Sequence, residues 1–183
     1  GRALETFDAQ PGSFFQLVAL SAGTLAASDG YVPIEVTAAA TDGQKTQVDL
    51  EEFDLQSDGV RMAGAVQGWH EPEYNSSTGR SWRWMSERAT LWVRSVGRDV
   101  TLTISGESPL RYFSVPPTLK VTIGGQTVAQ LEPSDDFTWQ VTLPANLLQG
   151  ANEEVVIQAD MSFVPGDGDQ RNLALRVYSI SVN

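Results

Sequence analysis

The chain has no cysteine, one histidine, and only two lysines against ten arginines among its 183 residues. Without cysteine there is no disulfide framework, no thiolate metal site and no cysteine nucleophile. A single histidine leaves a zinc centre short of its usual ligands. Apolar runs fall well short of the roughly 18 to 20 residues of a membrane-spanning helix, and no charged-then-apolar leader opens the sequence. The net charge of −11, from 12 basic and 23 acidic residues, argues against the basic footprint that nucleic acids and anionic membranes require. A nucleophile elbow, a phosphate loop and a dinucleotide fingerprint are all missing, and nothing in the chain implies a cofactor. Helical periodicity is nearly missing as well. Only 144–150, proline first and glycine last, offers a helical turn, long enough for a connector.

Period-two alternation fills the space those absences leave. Val100, Leu102 and Ile104 alternate with threonines; Leu119, Val121 and Ile123 alternate with Lys120 and Thr122. Phe137, Trp139, Val141 and Leu143 repeat the pattern, as do Val155, Ile157, Ala159, Met161 and Phe163. Gly124-Gly125 supplies the positive φ angles of a tight turn, which predicts an antiparallel hairpin of 119–123 with 126–131. Further strands are expected at 13–20, 31–38, 45–53, 59–67, 89–94 and 173–182. About ten short strands predict an all-β fold: one domain over 1–183, a two-sheet antiparallel β-sandwich of jelly-roll type resembling carbohydrate-binding modules. Residues 1–59 supply its N-terminal strands.

The densest chemistry lies in GWHEPEYNSSTGRSWRWM, residues 68–85, with three of the five tryptophans, the only histidine and two arginines. Trp82 and Trp84 are two apart and share one face of an extended chain, while Arg83 takes the other. Two indoles on one face make a platform for a sugar ring, and they also suit burial in a sheet. Trp69, beside Gly68 and ahead of polar residues, is expected at a rim. His70, Glu71 and Glu73 are proton carriers and hard ligands by type, yet Pro72 favours an extended loop in which the glutamates diverge. Asn75-Ser76-Ser77 matches a glycosylation acceptor, a short pattern that also arises by chance. Six arginines between Arg80 and Arg111 favour bidentate pairing with carboxylates or hydroxyls. Arg88, Arg94 and Arg98 are expected to meet internal acids. Asp167 and Asp169, in a Gly-Asp-Gly-Asp loop, are weak calcium candidates set against an ordinary turn, and no metal is expected. The ligand-binding candidates are Trp69, Glu73, Tyr74, Trp82, Arg83, Trp84 and Arg111.

The segments GWHEPEYNSSTGRSWRWMSERATLWV, SGESPLRYFSVPPTLKV, DDFTWQVTLP and FVPGDGDQRNLALRVYSISV together give the chain a resemblance over about 60–183. It resembles a C-terminal extracytoplasmic module of bacterial membrane glycosyltransferases of the dolichyl-phosphate-mannose mannosyltransferase-like type. The matching positions are Gly68, Trp69, Pro72 and Glu73; Arg80 and Trp82 running into Arg83-Trp84; the Ser-Pro-Leu-Arg-Tyr segment at 108–112; and Asp169 with Arg171. The resemblance implies an extracytoplasmic location and a parent membrane region, which agrees with a chain opening Gly-Arg-Ala without methionine. It carries over no transferase catalytic residue, because those belong to the membrane portion.

The expectation is a non-catalytic module that binds or positions a glycan or glycolipid, with no nucleic-acid partner. A purely structural or protein-interaction sandwich, in which Arg111 holds Asp169 or a neighbouring carboxylate, is the first alternative. A polysaccharide hydrolase or lyase, drawing a carboxylate pair from Glu71, Glu73 and Glu107, is the second. Far-UV circular dichroism should show mostly β signal with little helix; helix content near a third, ordinary for mixed folds, would overturn the all-β reading.

Overall fold

The computed structural model describes residues 3–9, 14, 16–21, 23–25, 32–44, 46–50, 53, 55, 63–150 and 152–183. The chain divides into two compact units, one of 1–10 with 16–55 and the other of 11–15 with 56–183. In the first unit the described residues form turns at 23–25 and 41–43 and no strand. The strands expected within 13–20, 31–38 and 45–53 therefore do not form in the residues described there. Alternation alone does not make a strand, which needs backbone partners and a buried face to fix its register. Val32, Ile34, Val36, Val48 and Leu50 alternate, but each is exposed.

The second unit is all-β and antiparallel. Its strands are β1 (Ala63–Asn75), β2 (Arg80–Arg94), β3 (Val100–Glu107), β4 (Leu119–Ile123), β5 (Gln126–Leu131), β6 (Asp136–Leu143), β7 (Asn152–Ala159) and β8 (Leu175–Val182). Short 3-10 turns occupy Leu110–Tyr112 and Ala145–Leu147, the latter where the sequence offers its one helical turn. The Gly124-Gly125 hairpin forms as its turn chemistry requires, with φ of 56° and 81°. Of the strand expected at 59–67, residues 59–62 lie outside the described ones. The remainder belongs to a longer β1, which pairs with β2 across a turn at 76–79. The stretch read as a polar loop is thus mostly hairpin. No helix among the described residues is long and apolar enough to cross a membrane.

Hydrogen bonds join the strands into one continuous sheet in the order β5-β4-β7-β2-β8-β3-β6, with β1 on the other edge of β2. Two separate sheets are not what the pairing traces. The fifteen-residue β2 is shared: Arg88–Arg94 pair with β7, whereas Arg83–Met85 pair with β8. Strands that change partners along their length make the corners of folded sheets. The path bends there until Cα atoms of its terminal strands β5 and β6 come within 8 Å, so the sheet is nearly closed.

Alternation decides what lies inside. Met85, Leu91 and Val93 of β2 pack with Leu102 and Ile104 of β3, Val121 and Ile123 of β4, Val141 and Leu143 of β6, Val155 and Ile157 of β7, and Leu175 and Val177 of β8. One cluster therefore holds both halves of the bent sheet together. Each such side chain contributes on the order of 1.5 to 3 kcal/mol on burial.

Register shifts between Ala65, Gln67, Trp69 and Pro72 break the β1–β2 ladder, and they re-aim its side chains. Gly68 sits inside that region with φ 77°, and a Cβ there would run into the carbonyl oxygen of Arg88 and the Cα of Ala89. Both the backbone conformation and the lack of a side chain are needed. Gly68→Ala should destabilise the domain by at least about 3 kcal/mol in denaturant unfolding; a loss below about 1 kcal/mol would show the ladder accommodating the methyl group.

Candidate functional site

Antiparallel pairing places chemistry on the outer face of β2, β8, β3 and β6. Trp84 pairs with Arg176, Arg176 with Glu107, and Glu107 with Asp136, so these four residues form one row across four strands. Trp82 and Trp84 share this face, as their spacing requires. The Arg176 guanidinium lies 5.0 Å from the Trp82 ring centre and 4.8 Å from that of Trp84. Such contacts are favourable because the cation meets the negative face of each ring. Arg176 Nη1 also donates to Glu107 Oε2 at 3.3 Å.

Trp84 is only 4% exposed, because Phe163 covers it edge-on at 5.7 Å. Tyr112 stacks on Phe163 at 3.9 Å, Phe113 meets it edge-on, and Arg111 lies over Tyr112 at 4.8 Å. Arg111 thus joins the face through an aromatic stack and does not hold Asp169. That role belongs to Arg171, whose Nε and Nη2 donate to both Asp169 oxygens at 2.7 to 3.1 Å while Nη1 donates to Glu73 Oε1 at 2.8 Å. Glu73 accepts a further bond, 3.1 Å, from Trp82 Nε1. One guanidinium thus locks the loop between β7 and β8 to the β1–β2 hairpin.

Glu73, Trp82 and Trp84 therefore converge, with Arg111 at the margin of the same aromatic group. Trp69, Arg83 and Tyr74 do not join them. Trp69 packs against the core, and its indole N–H donates to the Thr90 carbonyl at 2.9 Å, so it is no rim residue. The physical reason is the register shift between Trp69 and Pro72, which inverts the alternation before Glu73 is reached. Arg83 projects from the face of Met85, opposite the indoles. Tyr74, at 67% exposure, pairs with Ser81 beyond the row. His70 bonds Ser86 Oγ at 3.0 Å and the Asn172 carbonyl at 3.3 Å, while Glu71 is exposed. Arg88 pairs with Glu154 at 3.1 Å, the internal acid its composition called for. Asp167 is exposed with φ 51° in a local turn, and no group of three or more metal-ligating side chains gathers among the described residues.

Arg176, Tyr178 and Asp136 escaped sequence reasoning. The alternation Leu175-Arg176-Val177-Tyr178 contains the signal, because it sets a cation and a phenol on the face opposite two core residues. Tyr178 donates to Glu107 Oε2 at 2.8 Å and reaches Asp136 Oδ1 at 3.4 Å; Arg80 Nη1 donates to its oxygen at 3.4 Å. Burial, and then the hydrogen bond to the Glu107 carboxylate, push the phenol up to about 12, so it remains a neutral donor at any physiological pH. Beside it opens a groove of about 420 Å³ lined by Arg80, Ser81, Ser105, Gly106, Asp136, Phe137, Thr138 and Tyr178. Ser105 and Thr138 hydroxyls meet there at 3.1 Å. The groove joins a cationic fork, a carboxylate, four hydroxyls and two aromatic rings.

No protein-family model matches the chain, and no curated protein is recognisably similar to it.

The Arg171 clasp has a pH signature. Hydrogen bonds from the Arg171 side chain and backbone hold the Asp169 carboxyl at about 2, below its ordinary 3.8. A group with a depressed folded value stabilises the fold above its unfolded value and loses that contribution as pH falls. Chemical denaturation from pH 5 to 2 should show the wild type losing stability across this window, and Asp169→Asn should flatten that part of the curve. Identical curves would rule out the clasp as a contributor.

Proposed function

We propose that this domain is a non-catalytic glycan-recognising module, set on the extracytoplasmic side beside a membrane glycosyltransferase. The observation that carries this reading is the groove at Arg80, Asp136 and Tyr178. Sugar hydroxyls come in neighbouring donor–acceptor pairs, which a guanidinium fork and a carboxylate set side by side complement. Arg80 and Asp136 lie 3.7 Å apart with side chains more than half exposed, so both are presented to a ligand. The sequence resemblance over 60–183 supports the glycosyltransferase setting, and the bend at β2 supports a jelly-roll-type sandwich as its layering.

Recognition then belongs to the outer face of β8, β3 and β6, with Trp82 and Trp84 supporting it from the side through Arg176. A second reading, a structural or protein-interaction module, is favoured by the burial of Trp84 and the core packing of Trp69, which place two of the three clustered indoles in structural roles.

A glycan array separates the two readings. The groove is shallow and its ligand well hydrated, so dissociation constants of about 1 μM to 1 mM are expected. Arg80→Ala and Tyr178→Phe should each weaken binding by about tenfold or more, the scale of one lost charged or buried hydrogen bond. Arg94→Ala, at the far end of β2, should leave it unchanged. If no glycan binds the wild type, the recognition reading is lost and the structural module stands.

A further inference from the structure

We infer that the groove selects neutral sugars over acidic ones, and that Asp136 sets this choice; the inference rests on the glycan-recognition reading above. Arg80 and Asp136 are the charged residues lining the groove, one of each sign and 3.7 Å apart. Directly behind them, Glu107 takes the Tyr178 hydroxyl at 2.8 Å and Arg176 at 3.3 Å. The cation lining the groove, Arg80, and the one behind it, Arg176, are therefore each already opposed by a carboxylate, and the lining offers no spare positive charge.

A neutral sugar fits that balance. One hydroxyl donates to the free lone pairs of Asp136, its neighbour accepts from the Arg80 fork, and the pair itself stays intact. Ser105 and Thr138, bonded to each other at 3.1 Å, keep further donor and acceptor capacity for a third hydroxyl. A uronic acid behaves differently. Its carboxylate reaches Arg80 only by displacing Asp136 or by standing next to it, and either arrangement leaves a carboxylate without its cation. The field of a chain carrying −11 opposes the same approach. Two like charges about 5 Å apart weaken binding by about fourfold at water-like screening, and by much more beside a low-dielectric wall. Recognition of an acidic sugar would draw on unopposed arginines, which the groove lining lacks.

The test is titration calorimetry of the wild-type domain with neutral oligosaccharides and with matched chains whose C6 groups are oxidised to carboxylates. The neutral chains should bind with affinity independent of salt between about 0.05 and 0.5 M, and the acidic chains at least about fourfold more weakly at low salt, the gap closing as salt rises. Asp136→Asn should narrow the gap by raising affinity for the acidic chain. Tighter or equal binding of the acidic chain by the wild type would overturn the inference, and so would an unchanged gap in Asp136→Asn. If the acidic chain binds more tightly than the neutral one and Tyr178→Phe abolishes that binding, the ligand class is wrong while the groove stands as the site. If neither chain binds, the recognition reading and this inference fall together.

Discussion

The two edges of β2 are unequally shared, and the whole domain depends on how. One edge is occupied by β1, while the other is divided between β7 along Arg88–Arg94 and β8 along Arg83–Met85. A strand that must satisfy two neighbours running to different places has to bend between them, because backbone donors and acceptors in a dry interior cannot be left unpaired. That bend brings Leu91 and Val93 against the same cluster that holds Leu175 and Val177. It also leaves Trp82 and Trp84 on the outside of the β8 half, where the loop carrying Phe163 folds over the second of them. Core and candidate surface are two consequences of one division of hydrogen bonds.

On the outer face, polar groups carry the organisation that apolar contacts carry inside. Three arginines, Arg80, Arg171 and Arg176, each oppose at least one carboxylate, and each does so from a different segment. Arginine suits this work better than lysine because its planar fork serves two partners at once and still lies flat on an indole. The preference for arginine over lysine at these three positions follows from that requirement. Single ion pairs at this exposure contribute little stability, on the order of 0 to 1 kcal/mol. Their effect is positional, since they fix where Glu73, Glu107 and Asp136 point.

Much of the second unit was legible because a half-buried strand writes its two faces directly into the sequence. The 119–131 hairpin, the strands around 100–107 and 136–143, and the common face of Trp82 and Trp84 all follow from period two and turn chemistry. Three things were not legible. Irregularities in β1 invert the alternation between Trp69 and Glu73, and a pattern-based reading has no way to count a bulge it cannot see. The pairing of Arg171 with Glu73, 98 residues apart, depends on tertiary placement. In the first unit, Val32, Ile34 and Val36 alternate as well as any strand, yet the described residues there have no ladder, so the pattern was present without the partners that give it meaning.

The strict parity of β2 also bears on how such a domain tolerates change in length. Along Trp82–Met85 every side chain has an assigned side, indole outward and methionine inward, so one inserted or deleted residue would exchange the two and turn Met85 out of the apolar interior. The hairpin tip is free of that rule: residues 76–79 are exposed, and the ladder on either side of them begins afresh at Asn75 and Arg80. Length variation along the β1–β2 arm is therefore confined to this tip, which lies next to Arg80 at the lip of the groove. Chains of this architecture can lengthen or trim the rim of their candidate binding surface while the strand that builds the fold keeps its residue count.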